Sequence, residues 1–260
     1  QGIRELACAS TMPCPFRGGR CSKKGGVCSL RLFSDRGGVV APVDAELVSM
    51  CPHRFAEDGL VVRWIGERIL DTPAPVAAKE VPFLQPTGRE QGARAVGRID
   101  MVLANQAEGA LNWCAVEMQA VYFSGKSMTK ELQALKDWQG PGLPFPQERR
   151  RPDYRSSGPK RLMPQLQIKV PTISRWGRKT AVVVDRGFWR SLAPMEETAD
   201  LSNCDIAWFV VGYTQSANER RFRLTLDAVR FTTLDHAVKG LTGGVPLSLE
   251  RFESELRRRL

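Results

Sequence analysis

Apolar and polar positions along this chain repeat with two different periods, and the change of period marks out its elements. From about Pro52 to Leu70 the residues Phe55, Leu60, Ile65 and Ile69 suggest one amphipathic helical stripe, which Pro73 and Pro75 end. A short strand is expected at Lys79–Leu84. Gly97–Ala104 (GRIDMVLA) reads as a strand, Asn105–Ala110 as a turn, and Leu111–Phe123 (LNWCAVEMQAVYF) as a second, longer strand. A helix fits Ser127–Trp138, with Ser127 as its N-cap. Residues 139–161 read as a Pro/Gly-rich basic loop. Buried strands are expected at Thr180–Asp185 and Asp205–Tyr213, an alternating strand at Arg221–Phe231, and a charged amphipathic helix at Leu247–Leu260. Strands interleaved with helices predict an α/β domain, a central mixed sheet flanked by helices.

Residues 1–51 break this pattern. The stretch from Cys14 to Cys28 (CPFRGGRCSKKGGVC) is rich in Gly, Pro and cations, and has too few apolar side chains to pay for its own ordering. Little regular structure is expected there, and something must staple it. Five of the seven cysteines lie in this region: Cys8, Cys14, Cys21, Cys28 and Cys51. Six residues separate Cys14 from Cys21, six separate Cys21 from Cys28, and twenty-two separate Cys28 from Cys51. This is not the close pairing of a zinc ribbon, yet four thiolates can close a tetrahedral site around zinc or iron. Cys8 competes for one ligand place. Cys114 and Cys204 sit in apolar runs and read as core residues. An odd cysteine count with no apolar leader points to a reducing compartment, taken here as the cytoplasm of a prokaryote, and no apolar run is long enough to span a membrane.

Charge adds a partner. Thirty-eight Lys and Arg against 28 Asp and Glu give a net charge of +10, which favours an anion such as DNA. Two histidines in 260 residues leave little room for His-based catalysis or a His-rich metal site.

The hairpin at 97–123 carries the candidate chemistry. Hydrolysis of a phosphodiester asks for carboxylates that hold a hard cation such as Mg²⁺. Asp100 follows Ile99 on the first strand. Glu117 and Gln119 share one face of the second, while Cys114, Val116 and Met118 take the other. An acid in the middle of an apolar strand is costly to bury unless it is paired or bound to a cation.

Asp100, sixteen intervening residues, then Glu117-Met118-Gln119 resembles the PD-(D/E)xK nuclease signature, with Gln119 where Lys is usual. Together with the leading Cys-Pro-Phe…Gly-Val-Cys-Ser module, the chain resembles the NotI family of restriction endonucleases. The resemblance covers most of the chain, including the Arg/Pro loop and Leu162–Asp185. It implies a PD-(D/E)xK endonuclease domain over 52–260 behind a four-cysteine metal-binding module over 1–51 that contacts DNA. It implies Asp100, Glu117 and Gln119 as the catalytic set, with Mg²⁺ on Asp100 and Glu117, and Glu80 as an additional acid. It implies Cys14, Cys21, Cys28 and Cys51 as ligands of iron or zinc.

Double-stranded DNA is then the expected partner, held by Arg17, Arg20, Lys23 and Lys24 of the module and by Arg149, Arg150, Arg151 and Arg155 of the basic loop. Arg-rich contacts suit a GC-rich palindrome, and cutting both strands suits a homodimer with one site per strand. Two other readings stay open: a structure-specific or repair nuclease on the same core, and a metal-stapled DNA-binding protein without catalysis.

Overall fold

The computed structural model describes residues 13–21, 27–85, 97–107, 109–125, 129–146, 151–215, 222–244 and 246–260. Among them the first elements are two strands, β1 (Ser29–Arg36) and β2 (Val39–Ser49), paired as an antiparallel hairpin. Gly37 and Gly38, both at positive φ, form its two-residue turn, and Asp35 Oδ1 accepts from the Gly38 amide at 2.8 Å. The expectation of little regular structure before residue 51 is therefore corrected for 29–49. Leu30 and Leu32 alternate with the exposed Arg31 and Phe33, a strand signal the Gly- and Cys-rich surroundings masked.

The expected helix at 52–70 is two. A 3₁₀ stretch at Pro52–Gly59 breaks at Asp58 and Gly59, both at positive φ, before α1 (Leu60–Ile69). Phe55 and Ile65 are fully buried, and Leu60 and Ile69 pack beside them.

Six strands form the central sheet: β3 (Val76–Leu84), β4 (Gly97–Ala107), β5 (Ala110–Met118), β8 (Lys179–Asp185), β9 (Ile206–Gln215) and β10 (Phe222–Thr232). Their order is β10-β9-β8-β5-β4-β3. The pairs β5/β8 and β8/β9 are parallel and the outer pairs antiparallel, the mixed sheet the pattern predicts. The expected strand at 111–123 is shorter. β5 stops at Met118, and Tyr122–Phe123 forms a separate strand, β6, paired with β7 (Pro152–Asp153). The reason is competition for partners: Gln119 N still reaches β8 through Val183 O, but Val121 N and Tyr122 N turn to Ser49 O and Ser157 Oγ.

Helix α2 (Thr129–Asp137) falls within the expected span; Ser127, its expected cap, lies outside the described residues. The basic segment is not all loop. Tyr154–Ser157 is a short helix, α3, capped by Asp153, and a π-helical stretch, Gly158–Leu162, runs into α4 (Met163–Arg175). Short helices α5 (Arg186–Arg190) and α6 (Leu234–Thr242) follow β8 and β10, and α7 (Leu249–Arg257) ends the chain with no buried residue.

Helices cover both faces of the sheet, so the central strands are buried on both sides. On one face Leu162, Leu166 and Val170, leading into and along α4, and Ala237 and Leu241 of α6 meet Val182, Val184, Ile206, Trp208 and Val210. On the other, Val61 and Ile65 of α1 meet Ala181, Val183, Ala207 and Phe209, with Cys114 and Val116 of β5. The hairpin is stitched to this body: Ser49 N donates to Asp185 Oδ2 at 2.6 Å, and Val40 N to Leu143 O at 3.0 Å. Among the described residues no helix is long and apolar enough to cross a membrane.

Candidate active site

Strand alternation sends Cys114, Val116 and Met118 into the core beneath α1 and leaves Glu117 on the face that α4 covers. One step beyond the registered pair Met101↔Val116, Asp100 comes abreast of Glu117. On the far side of β4, Glu80 falls between the registered pairs Lys79↔Met101 and Val81↔Ile99, in the place facing Asp100. The register therefore sets three acids in a row across three strands. Glu80 is exposed and sits at φ 54, a left-handed backbone that only a bend or a functional demand asks of a glutamate.

The row runs from open to buried. The Asp100 side chain is 65% exposed and that of Glu117 4% exposed. Burial pushes the Glu117 carboxyl up from its ordinary range; the nearby Lys169 opposes this and Asp100 adds to it.

Lys169 was not among the residues the sequence singled out. It lies on α4, where Leu166, Lys169, Val170 and Ile173 form the buried stripe. Its Nζ lies 2.5 Å from Glu117 Oε1, 3.2 Å from Gln165 Oε1 and 3.8 Å from Asp100 Oδ1. A lysine at an apolar-stripe position was the available signal, since cations on amphipathic helices belong on the wet face. Gln119 is 9% exposed, and its Nε2 donates to Ala120 O at 2.5 Å rather than toward the acids.

An ammonium lodged beside both carboxylates marks this as a place that takes a cation, and Asp100 and Glu117 are hard oxygen donors of the kind Mg²⁺ prefers. That donor set fits a magnesium site.

The cysteines occupy a second region. Cys14 N donates to Gly19 O at 2.8 Å, closing a knuckle around Gly18 and Gly19, both at positive φ. Met50 N and Cys51 N both donate to Cys28 O, so the ends of the β1–β2 hairpin bring Cys28 beside Cys51. No disulfide joins Cys14, Cys21, Cys28, Cys51, Cys114 or Cys204. Burial, then the proximity of Cys51, Cys21 and Cys14, pushes the Cys28 thiol up to about 11. The four thiols thus share one neighbourhood, although no group of three or more ligating side chains among the described residues meets the geometry of a metal site. The donor set is soft sulfur, which suits zinc or iron. Cys8 lies outside the described residues.

Arg54 ties this region to the sheet. Its buried guanidinium lies over the rings of Phe16 and Tyr213, 4.9 and 4.7 Å from their centroids. It donates to Glu57 Oε2 at 2.6 Å and to Phe222 O at 2.8 Å.

Of the expected DNA contacts, Arg17 is exposed and reaches His53 Nε2 at 3.1 Å, and Arg20 is exposed beside Pro13. Arg151 and Arg155 are exposed on the segment that β6 and β7 clamp three residues past Gln119. Arg161, on the same segment, lies 3.9 Å from the centroid of the Tyr122 ring. Lys23, Lys24, Arg149 and Arg150 lie outside the described residues.

A six-stranded mixed sheet between helices, with acids aligned across neighbouring strands, defines a nuclease-like α/β protein. The chain belongs to the NotI restriction endonuclease family: the family model described as "Restriction endonuclease NotI" matches residues 5–224. Membership implies a restriction endonuclease, a hydrolase of DNA with double-stranded DNA as its partner. A comparison with curated proteins finds no match.

Proposed function

We propose that this protein is a type II restriction endonuclease that hydrolyses both strands of a specific, GC-rich palindromic site in double-stranded DNA, using Mg²⁺ at a PD-(D/E)xK centre whose motif ends in Gln. The observation that carries this reading is the convergence of Asp100 and Glu117 on one cation-holding position, with Glu80 in register beyond them. Bound Mg²⁺ polarises a phosphate and makes water a nucleophile at neutral pH. Asp100 and Glu117 hold it, the first open to DNA and the second buried and fixed. Gln119, once its amide leaves the Ala120 carbonyl to which it donates, orients the attacking water, a neutral role. Glu80 serves as a further acid at the open edge. A protein that only bound DNA would gain nothing from three acids in its groove, where they repel phosphate.

Cys14, Cys21, Cys28 and Cys51 hold a structural zinc or iron that fixes the cationic knuckle carrying Arg17 and Arg20, with Lys23 and Lys24 next in sequence. This knuckle and the segment carrying Arg149, Arg150, Arg151 and Arg155 grip the duplex, mainly at phosphates. Two copies act together, one per strand. The stripe of Leu249, Phe252 and Leu256 on α7, all exposed, is the contact offered to a second copy.

Cleavage of a long phage DNA with and without Mg²⁺, comparing wild type with Glu117→Ala, tests the reading. Discrete Mg²⁺-dependent fragments from wild type and none from the variant are expected. Intact DNA with binding retained in both proteins would sink it. Sedimentation with and without residues 247–260 tests the dimer; an unchanged mass would move the contact elsewhere.

A further inference from the structure

Lys169 is the charged group that this mechanism leaves unused. Burying a lysine is expensive, and the helix places apolar residues around it: Leu166, Val170 and Ile173 are each fully buried. A leucine or methionine there would pack at lower cost, so the ammonium answers to something on the sheet. It meets Glu117 and Gln165 closely and stands 3.8 Å from Asp100, whose side chain is the open end of the site. The ammonium therefore lies at the boundary between the buried acid and the surface where a phosphate would rest. Two residues past Glu117 the chain offers only the amide of Gln119, which is turned to the Ala120 carbonyl and carries no charge.

We propose that Lys169 is a catalytic lysine of this centre, delivered by helix α4 from the far side of Glu117 instead of by the strand, and that it turns from Glu117 to the scissile phosphate when a divalent cation takes its place between the carboxylates. This rests on the nuclease reading above. In the hydrolysis a P–O bond to water forms as an ester P–O bond breaks; the water's proton passes to solvent and the leaving oxygen takes one from solvent. Lys169 takes no part in these transfers. Its part is electrostatic: it offsets the negative charge that grows on the phosphate oxygens, in a site already partly closed to water. The same ammonium keeps Glu117 paired while no metal is bound, so one side chain stabilises the empty site and then serves the reaction.

The experiment measures single-turnover cleavage and calorimetric binding of Ca²⁺ for wild type, Lys169→Met, Lys169→Arg and the double variant Lys169→Met/Gln119→Lys, with near-UV circular dichroism to verify folding. Lys169→Met is expected to cleave about 100-fold more slowly, the loss typical of removing one charge-stabilising donor, while binding Ca²⁺ within about threefold of wild type. The double variant, which returns an ammonium to the other side of Glu117, is expected to regain about tenfold. Lys169→Arg keeps the ion pair and is less prone to misfold; it is expected to lose about tenfold, because a planar fork does not replace a compact ammonium. Wild-type rates in a folded Met or Arg variant would overturn the proposal and leave the nuclease reading intact. Loss of Ca²⁺ binding together with cleavage in Lys169→Met would also overturn it, making Lys169 a structural counter-ion. A wild type that binds Ca²⁺ and cuts no DNA with Mg²⁺ would overturn the nuclease reading, and this proposal with it.

Discussion

Cys114 and Glu117 stand three residues apart on one strand and face opposite layers, and each is shaped by the layer it enters. Under α1, burial alone pushes Cys114 up to about 12, and burial chiefly holds Cys204 at about 11. In the unfolded chain both ionise near the ordinary 9.0, so their contribution to stability is complete below that pH and is lost as pH rises through the folded values. At pH 8 both are expected to resist alkylation in the native protein and to label fully in urea, read by mass spectrometry; rapid native labelling would contradict their place in the core. Glu80 is the second telling residue. A left-handed glutamate costs about 1–2 kcal/mol, which Glu80→Gly relieves and Glu80→Ala does not. In calorimetry the Gly variant is expected to unfold at a higher temperature than the Ala variant, while both cleave DNA more slowly. Equal unfolding temperatures would show that the backbone there is unstrained.

At the scale of elements, α4 is the part on which the site depends. It contributes Leu166 to the core on the β8–β9 side and Ile173 to a small cluster with Ile99 and Ala115, and between them it lowers Lys169 onto Glu117. Pro171 lies inside the helix and removes one backbone donor, so packing against the sheet, not hydrogen bonding alone, holds this turn in place. Leu166→Ala and Ile65→Ala both empty fully buried sites, on opposite faces of the sheet, and each is expected to cost about 2–5 kcal/mol in denaturant unfolding. Only Leu166→Ala is expected to slow cleavage by the folded enzyme at 25 °C, because only it loosens the helix that aims Lys169. Equal rates in the two variants would detach α4 from the chemistry. Arg54 performs a comparable service for the cysteine knuckle, gripping Phe16 of the knuckle on one side and Tyr213 of β9 on the other.

Across the whole molecule, two centres are joined through one sheet. The thiol region meets the body through Arg54 and Ser49, and the strand that holds Glu117 passes directly into β6, which clamps the cationic segment. The +10 net charge favours association with DNA, so affinity is expected to fall steeply with salt. If the proposed structural metal is present, stripping it with a strong chelator and then removing the chelator is expected to lower the unfolding temperature and DNA affinity together, while Ca²⁺ binding at the proposed Asp100–Glu117 site persists. Unchanged stability and affinity, with no zinc or iron found by elemental analysis, would remove the metal from this reading.

Much of this architecture could be read from local pattern. Runs such as TAVVVD and DIAWFVVGY announce strands buried on both faces, and the parity of Cys114, Val116 and Glu117 assigns each to a layer, because side-chain direction along a strand follows from backbone geometry alone. The chain also showed where acids and thiols are concentrated. It did not show that β5 ends at Met118, that Leu30 and Leu32 begin a hairpin, or that helix α4 exists, since each depends on which distant group satisfies a backbone donor or covers an apolar stripe. Lys169 is the clearest case. Fifty-two positions separate it from Glu117, and no period in the sequence spans that distance. Sequence determined which residues face inward; only the tertiary structure decided which inward-facing residues meet, because burial is a local property of a repeating backbone and contact is not.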